Sequence, residues 1–156
     1  MWALRLPEKP SDDPVCVHAT CVAVAGRGAL ISGPSGVGKS ALALQMMGFG
    51  ADLVADDRVN LTLSGDRVLA DAVPQIRGLV EARGVGLLRA TACGPVPLDW
   101  IVDLDQVESQ RLPEPRQVLV LGHPVPLLHA AGVPNLASAL VQLMKMGRVD
   151  PQWPST

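Results

Sequence analysis

Gly33-Pro34-Ser35-Gly36-Val37-Gly38-Lys39-Ser40 fits the spacing G-x-x-x-x-G-K-[ST], and no other stretch constrains the chain as much. Glycines at these positions let successive backbone N–H groups turn inward around a phosphate, and a helix N-terminus behind them adds positive dipole character. In this pattern Lys39 reaches the β/γ-phosphates and the Ser40 hydroxyl ligates Mg²⁺. The flanks agree: Gly28-Ala29-Leu30-Ile31-Ser32 reads as a buried strand entering the loop, and Ala41-Leu42-Ala43-Leu44-Gln45-Met46-Met47 as a helix leaving it, closed by Gly48. A glycine-rich turn with a solvated lysine would lack both flanks. Residues Gly33, Pro34, Ser35, Gly36, Val37, Gly38, Lys39 and Ser40 are therefore predicted to bind the phosphates of a nucleotide with Mg²⁺.

With 156 residues, 48% of them hydrophobic, the chain can build one well-covered core. A net charge of −2 leaves no electrostatic footprint for nucleic acid or an anionic membrane. Three Trp, one Phe and no Tyr give little surface for stacking bases. The cysteines, Cys16, Cys21 and Cys93, are odd in number and form no C-x-x-C pair, which supports neither a disulfide framework nor zinc and fits a reducing compartment. No apolar stretch is long enough to span a bilayer, and Glu8, Asp12 and Asp13 stand where a signal peptide needs apolar residues. The expectation is a cytoplasmic protein.

Residues 1–14, rich in proline and charge and without a sustained period, read as a flexible arm dispensable for chemistry. The run from Val15 to Val24 is a predicted strand that forms a hairpin with the one entering the phosphate loop. Ala51 to Ala55 runs as a strand into Asp56-Asp57. Val59 to Leu63 and Arg67 to Ala70 flank Ser64-Gly65-Asp66, a hairpin signal that makes the sheet mixed. Leu79 to Leu88 is predicted as a single strand in which Gly84 and Gly86 permit close backbone approach. Further strands are predicted at Leu98 to Leu104, Val118 to Leu121 and, confined to an edge by its proline, Val125 to Leu128. The spacing Leu136, Leu140, Leu143, Met144 predicts an amphipathic helix ending at Gly147. The fold class expected is α/β: a single P-loop domain over residues 15–147 with a mixed β-sheet, followed by a flexible tail over residues 148–156.

Asp56 and Asp57 follow Lys39 closely enough for helix and next strand to return to the loop. Phosphoryl transfer needs one carboxylate near Mg²⁺ and another near the acceptor hydroxyl. Neighbours on a strand point to opposite faces, so dividing those tasks requires the backbone to leave strand geometry here. A solvated acidic turn is the other use of such a pair. Glu81 and Arg83 alternate onto one face, where an acid could reach metal and a guanidinium phosphate, or the two could form a surface ion pair. His18, on a strand, is either an ordinary half-buried residue or a catalytic one; His123 and His129 fall in a loop region and read as solvated. Arg77 and Arg89 lie near the site strands without a pattern of their own.

Taken together, the strand bearing His18, the stretch Gly26 to Ser40, Leu53-Val54-Ala55-Asp56-Asp57-Arg58-Val59 and Glu81-Ala82-Arg83-Gly84-Val85-Gly86 resemble the catalytic domain of the HPr kinase/phosphorylase family. That family modifies a serine of the phosphocarrier protein HPr. The last stretch is similar to its E-[IV]-R-G-[LI]-G signature with one substitution, and beyond Val96 the likeness is faint. The resemblance implies that Lys39 and the loop hold the nucleotide phosphates, that Ser40 and Glu81 hold Mg²⁺ with help from Asp57, and that Asp56 is the acid/base. It also implies catalytic roles for His18 and Arg83, a sheet related to that of phosphoenolpyruvate carboxykinase, HPr or an HPr-like carrier as partner, and a homo-oligomer.

The likeness begins near the chain's start, so the catalytic domain alone is expected. The family's P-G-R-N loop corresponds to Gly132-Val133-Pro134-Asn135, which has no arginine, and the resemblance supports phosphorolysis less than phosphorylation. Two other functions fit a phosphate loop followed by an acid. A small-molecule kinase would bring an arginine-rich lid, for which only Arg111 and Arg116 are candidates; a nucleotide-sensing module would not need Asp56, Asp57, Glu81 and Lys39 together.

Overall fold

The computed structural model describes residues 2–152. Among these, eleven strands and two α-helices follow one another as β1 (Val15–Val17), β2 (Thr20–Val24), β3 (Arg27–Ser32), α1 (Lys39–Gly48), β4 (Asp52–Ala55), β5 (Val59–Ser64), β6 (Arg67–Ala72), β7 (Leu79–Ala82), β8 (Gly86–Arg89), β9 (Val96–Asp103), β10 (Arg116–Val120), β11 (His123–His129) and α2 (Leu136–Met146). The main sheet runs β1-β5-β6-β9-β3-β2-β4, with β11 joined to β9 and β10 to β11. β9 lies parallel to both β3 and β11, and the remaining pairs of this sheet are antiparallel, so the sheet is mixed as the hairpin signals predict.

The sheet's centre is apolar on both faces because period-two alternation there sends hydrophobic side chains both ways. On β2 and β3, Cys21, Ala23 and Leu30 enter one cluster with Val59, Leu61 and Ala70 from β5 and β6. Val22, Val24, Ala29 and Ile31 enter another beneath Met46 of α1 and Leu140 and Met144 of α2. Both helices thus cover one face while the outlying strands curl over the other. Their common layer fixes the N-terminus of α1 at the end of β3, where the phosphate loop lies.

Three expectations are corrected. The run from Val15 to Val24 is two strands broken at His18-Ala19: β1 pairs with β5 while β2 pairs with β3 and β4, so one straight strand could not serve both. The stretch predicted as a single strand from Leu79 to Leu88 is the β7–β8 hairpin, with Ala82 paired to Gly86 and the Val85 N–H donating to the Ala82 carbonyl. Its two glycines, at φ +86° for Gly84 and +139° for Gly86, make the turn. His123 and His129 are not in a loop but begin and end β11. That strand is an edge only in part: its prolines, Pro124 and Pro126, face β10 alone, and pairing with β9 begins at Leu127.

The first residues have a definite place. Leu4 and Leu6 pack against the first cluster, and the carbonyls of Pro7 and Glu8 accept from the N–H groups of Leu121 and Gly122 at the β10–β11 turn. Of the tail at 148–156, the Arg148 guanidinium lies 5.7 Å from the centroid of the Trp100 ring, and residues 153–156 lie outside the described residues. No described helix is long and apolar enough to cross a membrane.

Burial separates the three thiols. Cys21 has no exposed surface and burial pushes its thiol far up; burial also raises that of Cys93, which is half-buried, while Cys16 faces solvent. A thiol reagent should modify Cys16 first in the folded protein and Cys21 only on unfolding, as peptide mass spectrometry of timed samples would show.

Candidate active site

Asp56 follows the last residue of β4 and is 6% exposed. Both oxygens of its carboxylate accept: Oδ1 from Thr20 Oγ1 at 2.8 Å and Ser40 Oγ at 2.7 Å, and Oδ2 from the Glu81 backbone N–H at 3.0 Å. One buried acid therefore ties β2, α1 and β7 to the end of β4. Because Ser40 gives its hydrogen to Asp56, its oxygen keeps lone pairs for a cation.

Asp57 leaves strand geometry at once. Its φ is +69°, and the Arg58 N–H returns to the Asp56 carbonyl at 2.8 Å, closing a three-residue turn of the strained kind. The turn sends the second carboxylate outward, where it is 63% exposed and lies 2.7 Å from His18 Nε2. An ionised carboxylate only accepts, so His18 Nε2 carries the hydrogen of this contact. His18 sits at the break between β1 and β2, and the same break frees it from the ladder.

The phosphate loop faces this pair. Gly36 and Gly38 have φ of +84° and +109°, and a Cβ built at either would meet nothing within 4 Å: the glycines are there for backbone shape and leave the space before them open. No side chain caps α1 and no acid occupies its first turn, which leaves its N–H groups to an anion. Lys39 Nζ lies back along the loop, donating to the carbonyls of Gly33 at 2.9 Å and Pro34 at 3.1 Å. Burial lowers the pKa of its ammonium, opposed by the carboxylates of Asp57 and Asp56. Loop, Lys39, Ser40, His18, Asp57, Glu81 and Arg83 line one cavity of about 440 Å³.

The donor set fits a nucleotide with Mg²⁺. Among the described residues no cluster of three metal-binding side chains forms, and the cavity offers the Ser40 hydroxyl and the carboxylates of Asp57 and Glu81, with Asp56 behind Ser40. Mg²⁺ keeps several waters and is held by one or two carboxylates together with substrate phosphates, so few hard oxygens beside a phosphate loop suffice.

Comparison with known proteins agrees with this geometry. The family model described as HPr Serine kinase C-terminal domain matches residues 12–93, just over half of the chain. The chain belongs to this family. It is 34% identical over 105 residues to the HPr kinase/phosphorylase of Alkaliphilus metalliredigens, covering 62% of this chain and 34% of that protein. Over 73 residues it is 47% identical to the Bordetella pertussis protein of the same name, covering 46% of this chain and 24% of the relative. The chain thus spans about a quarter to a third of the curated relatives it matches. The solved structure of the Hpr(Ser) kinase/phosphatase from Coxiella burnetii superposes with a TM-score of 0.73 at 22% identity, over 84% of this chain and 88% of that one. That likeness shows the fold, a mixed α/β arrangement with a curled sheet, in keeping with the class related to phosphoenolpyruvate carboxykinase.

Of the site residues named from sequence, His18, Asp57, Glu81, Arg83, Lys39, Ser40 and the loop come together, with Asp56 behind them. Arg83 stands in the β7–β8 turn instead of on a strand beside Glu81, yet lines the same cavity. Gly132, Val133 and Asn135 line a different cavity, of about 740 Å³, on the α1–α2 side of the loop, whose lining has no charged side chain. Arg77 pairs with Asp71 at 2.8 Å, and Arg116 with Glu108 at 3.1 Å, which holds it away from the role of a lid.

Sequence reasoning missed Thr20, which is fully buried and holds Asp56. The signal was present: Thr20 follows His18 by two positions, and a polar residue in an otherwise apolar run asks for a partner. Thr20→Val keeps the shape and removes one of the three hydrogen bonds to a buried carboxylate. Urea denaturation should show a loss of about 1–3 kcal/mol with an unchanged m-value.

Proposed function

We propose that this chain is an ATP- and Mg²⁺-dependent serine kinase acting on HPr or an HPr-like phosphocarrier. The observation that carries the reading is the shared cavity, with a phosphate loop on one wall and the exposed His18–Asp57 pair on the other. Family membership supports the chemistry, and the names of the relatives support the acceptor.

The two aspartates exchange the roles that the resemblance gave them. Asp56 is buried and both of its oxygens already accept hydrogen bonds, which places it poorly to receive a proton from a hydroxyl that another protein brings. It serves better as the acid that orients Ser40, and Ser40 with Glu81 forms the metal side of the site. Asp57 is open to an incoming serine. When bound, MgATP supplies the γ-phosphoryl group and the charge that offsets its transfer. The chain's own residues then act as follows. Asp57 takes the proton from the acceptor hydroxyl as the new O–P bond forms and the bond to the β-phosphate oxygen breaks. His18 Nε2–H holds that carboxylate in place. Lys39 and the N–H groups of the loop bind the phosphates, and Arg83 meets charge from the opposite wall. The reverse reaction would use the same acid, protonated; the uncharged wall at 130–138 gives it no added cation.

The test uses γ-labelled ATP, Mg²⁺, purified HPr and the full chain. Label should appear on a serine of HPr. Asp57→Asn, which suits a left-handed backbone, should keep nucleotide affinity while the transfer rate falls about 10²–10⁴-fold. Asp56→Asn should instead lose the Mg²⁺ dependence of nucleotide binding. An Asp57→Asn protein that labels HPr at close to the wild-type rate would sink the assignment of the base; nucleotide binding with no label on HPr would sink the kinase reading.

A further inference from the structure

A second cavity, of about 530 Å³, adjoins the first, and the two share His18 and Ser35. One wall is the phosphate loop at Ser32 and Gly33; the other is the N-terminal segment from Trp2 to Leu6. Its place along the loop has a direction. The α1 end takes the inner phosphates, and Lys39, which reaches the β/γ-phosphates, has its Nζ at the carbonyls of Gly33 and Pro34. The second cavity reaches Gly33, whose carbonyl accepts from the Lys39 ammonium, and so opens beside the end of the loop to which that ammonium points; Lys39 and Asp57 themselves line the first cavity, and His18, bonded to Asp57, lines both.

The wall is built into the fold. Leu4 and Leu6 sit on the core, and Pro7 and Glu8 are bonded to the β10–β11 turn. Gly122 in that turn has φ +84°, and a Cβ there would come within 2.8 Å of Pro10 Cγ, so the turn and the segment are shaped to each other. The spacing that turns Leu4 and Leu6 inward leaves Arg5 exposed between them. Arg5 lines the cavity, and among the described residues it has no carboxylate or carbonyl partner.

We infer that this second cavity receives the hydroxyl-bearing segment of the acceptor protein, and that Arg5 is the acceptor-binding cation of the N-terminal segment, pairing with an anionic group on it. The inference rests on the kinase reading and adds to it a wall that composition alone marked as dispensable. An anion explains the site best: an unpaired guanidinium facing a phosphate loop makes bidentate contacts to carboxylate or phosphoryl oxygens, and a purely apolar ligand would leave its charge unused.

Steady-state kinetics of the full chain with HPr and MgATP test this. Arg5→Ala should raise KM for HPr about tenfold and leave KM for ATP within about twofold. Arg5→Lys should recover part of the loss, and the rise of the HPr KM with salt should be shallower for Arg5→Ala than for the wild type. Gly122→Ala, which displaces the segment without touching Arg5, should show the same split, with thermal unfolding confirming that it folds. Constants unchanged in Arg5→Ala overturn the inference and leave the kinase reading intact. A rise in KM for ATP instead would give this cavity to the nucleotide and also overturn it. A wild-type chain that fails to label HPr would overturn the kinase reading, and this inference with it.

Discussion

The carboxylate of Asp56 is the point on which the site depends. Three donors from three elements converge on it, and none of them has a substitute at hand. Remove the acid and two hydroxyls and a backbone N–H lose their partner; the Thr20 hydroxyl is fully buried, so its unmade bond costs more than the made one contributes, while Ser40 and Glu81 line the cavity. The same convergence sets the distance between α1 and β7, and so the width of the cavity between the phosphate loop and Glu81. It also explains the turn that follows. A continued strand would send Asp57 to the opposite face from Asp56; the left-handed turn at Asp57 brings the second acid to the cavity that Ser40 lines.

How much of this was legible in the sequence depended on whether local chemistry or tertiary partners decided it. The phosphate loop, α1, the β5–β6 hairpin and α2 were legible, since a turn or an apolar period in the chain itself dictates each. The break at His18-Ala19 was not, because only the demand of two different neighbours, β5 and β3, splits an otherwise continuous β-rich run. At Leu79 to Leu88 the glycines were noticed but read for their lack of a side chain; their positive φ is what the chain uses. The site was legible as a set of residues and opaque as a set of roles. Asp56 and Asp57 are chemically identical neighbours, and Thr20 and Ser40, brought from elsewhere, decide which is buried and which faces the cavity.

The N-terminal segment shows the same limit. Proline and charge without a period describe a chain that cannot fold locally, and the reading of a loose arm follows from that alone. Whether such a segment docks depends on a receptor surface that its own residues do not encode. Here that surface is the groove over the first core cluster and a turn with a glycine where Pro10 comes close. Two leucines spaced by two are too few to register as a strand, yet enough to seat the segment once the groove exists.

In-line phosphoryl transfer gives the two cavities a reason to lie where they do. The attacking and leaving oxygens lie on opposite sides of phosphorus, so on the kinase reading one phosphate loop needs two approaches that meet at the transferred phosphoryl group, with the proton acceptor beside the attacking oxygen. The cavity lined by Lys39, Ser40 and Glu81 lies toward the α1 end of the loop, the one lined by Ser32 and Gly33 toward its start, where the Gly33 carbonyl accepts from Lys39, and His18 belongs to both walls. A base held at that junction can serve an acceptor arriving from one side while metal and inner phosphates occupy the other. On the proposed reading that base is Asp57, the acid bonded to His18 there, and the role accounts for an exposure reached through a left-handed backbone.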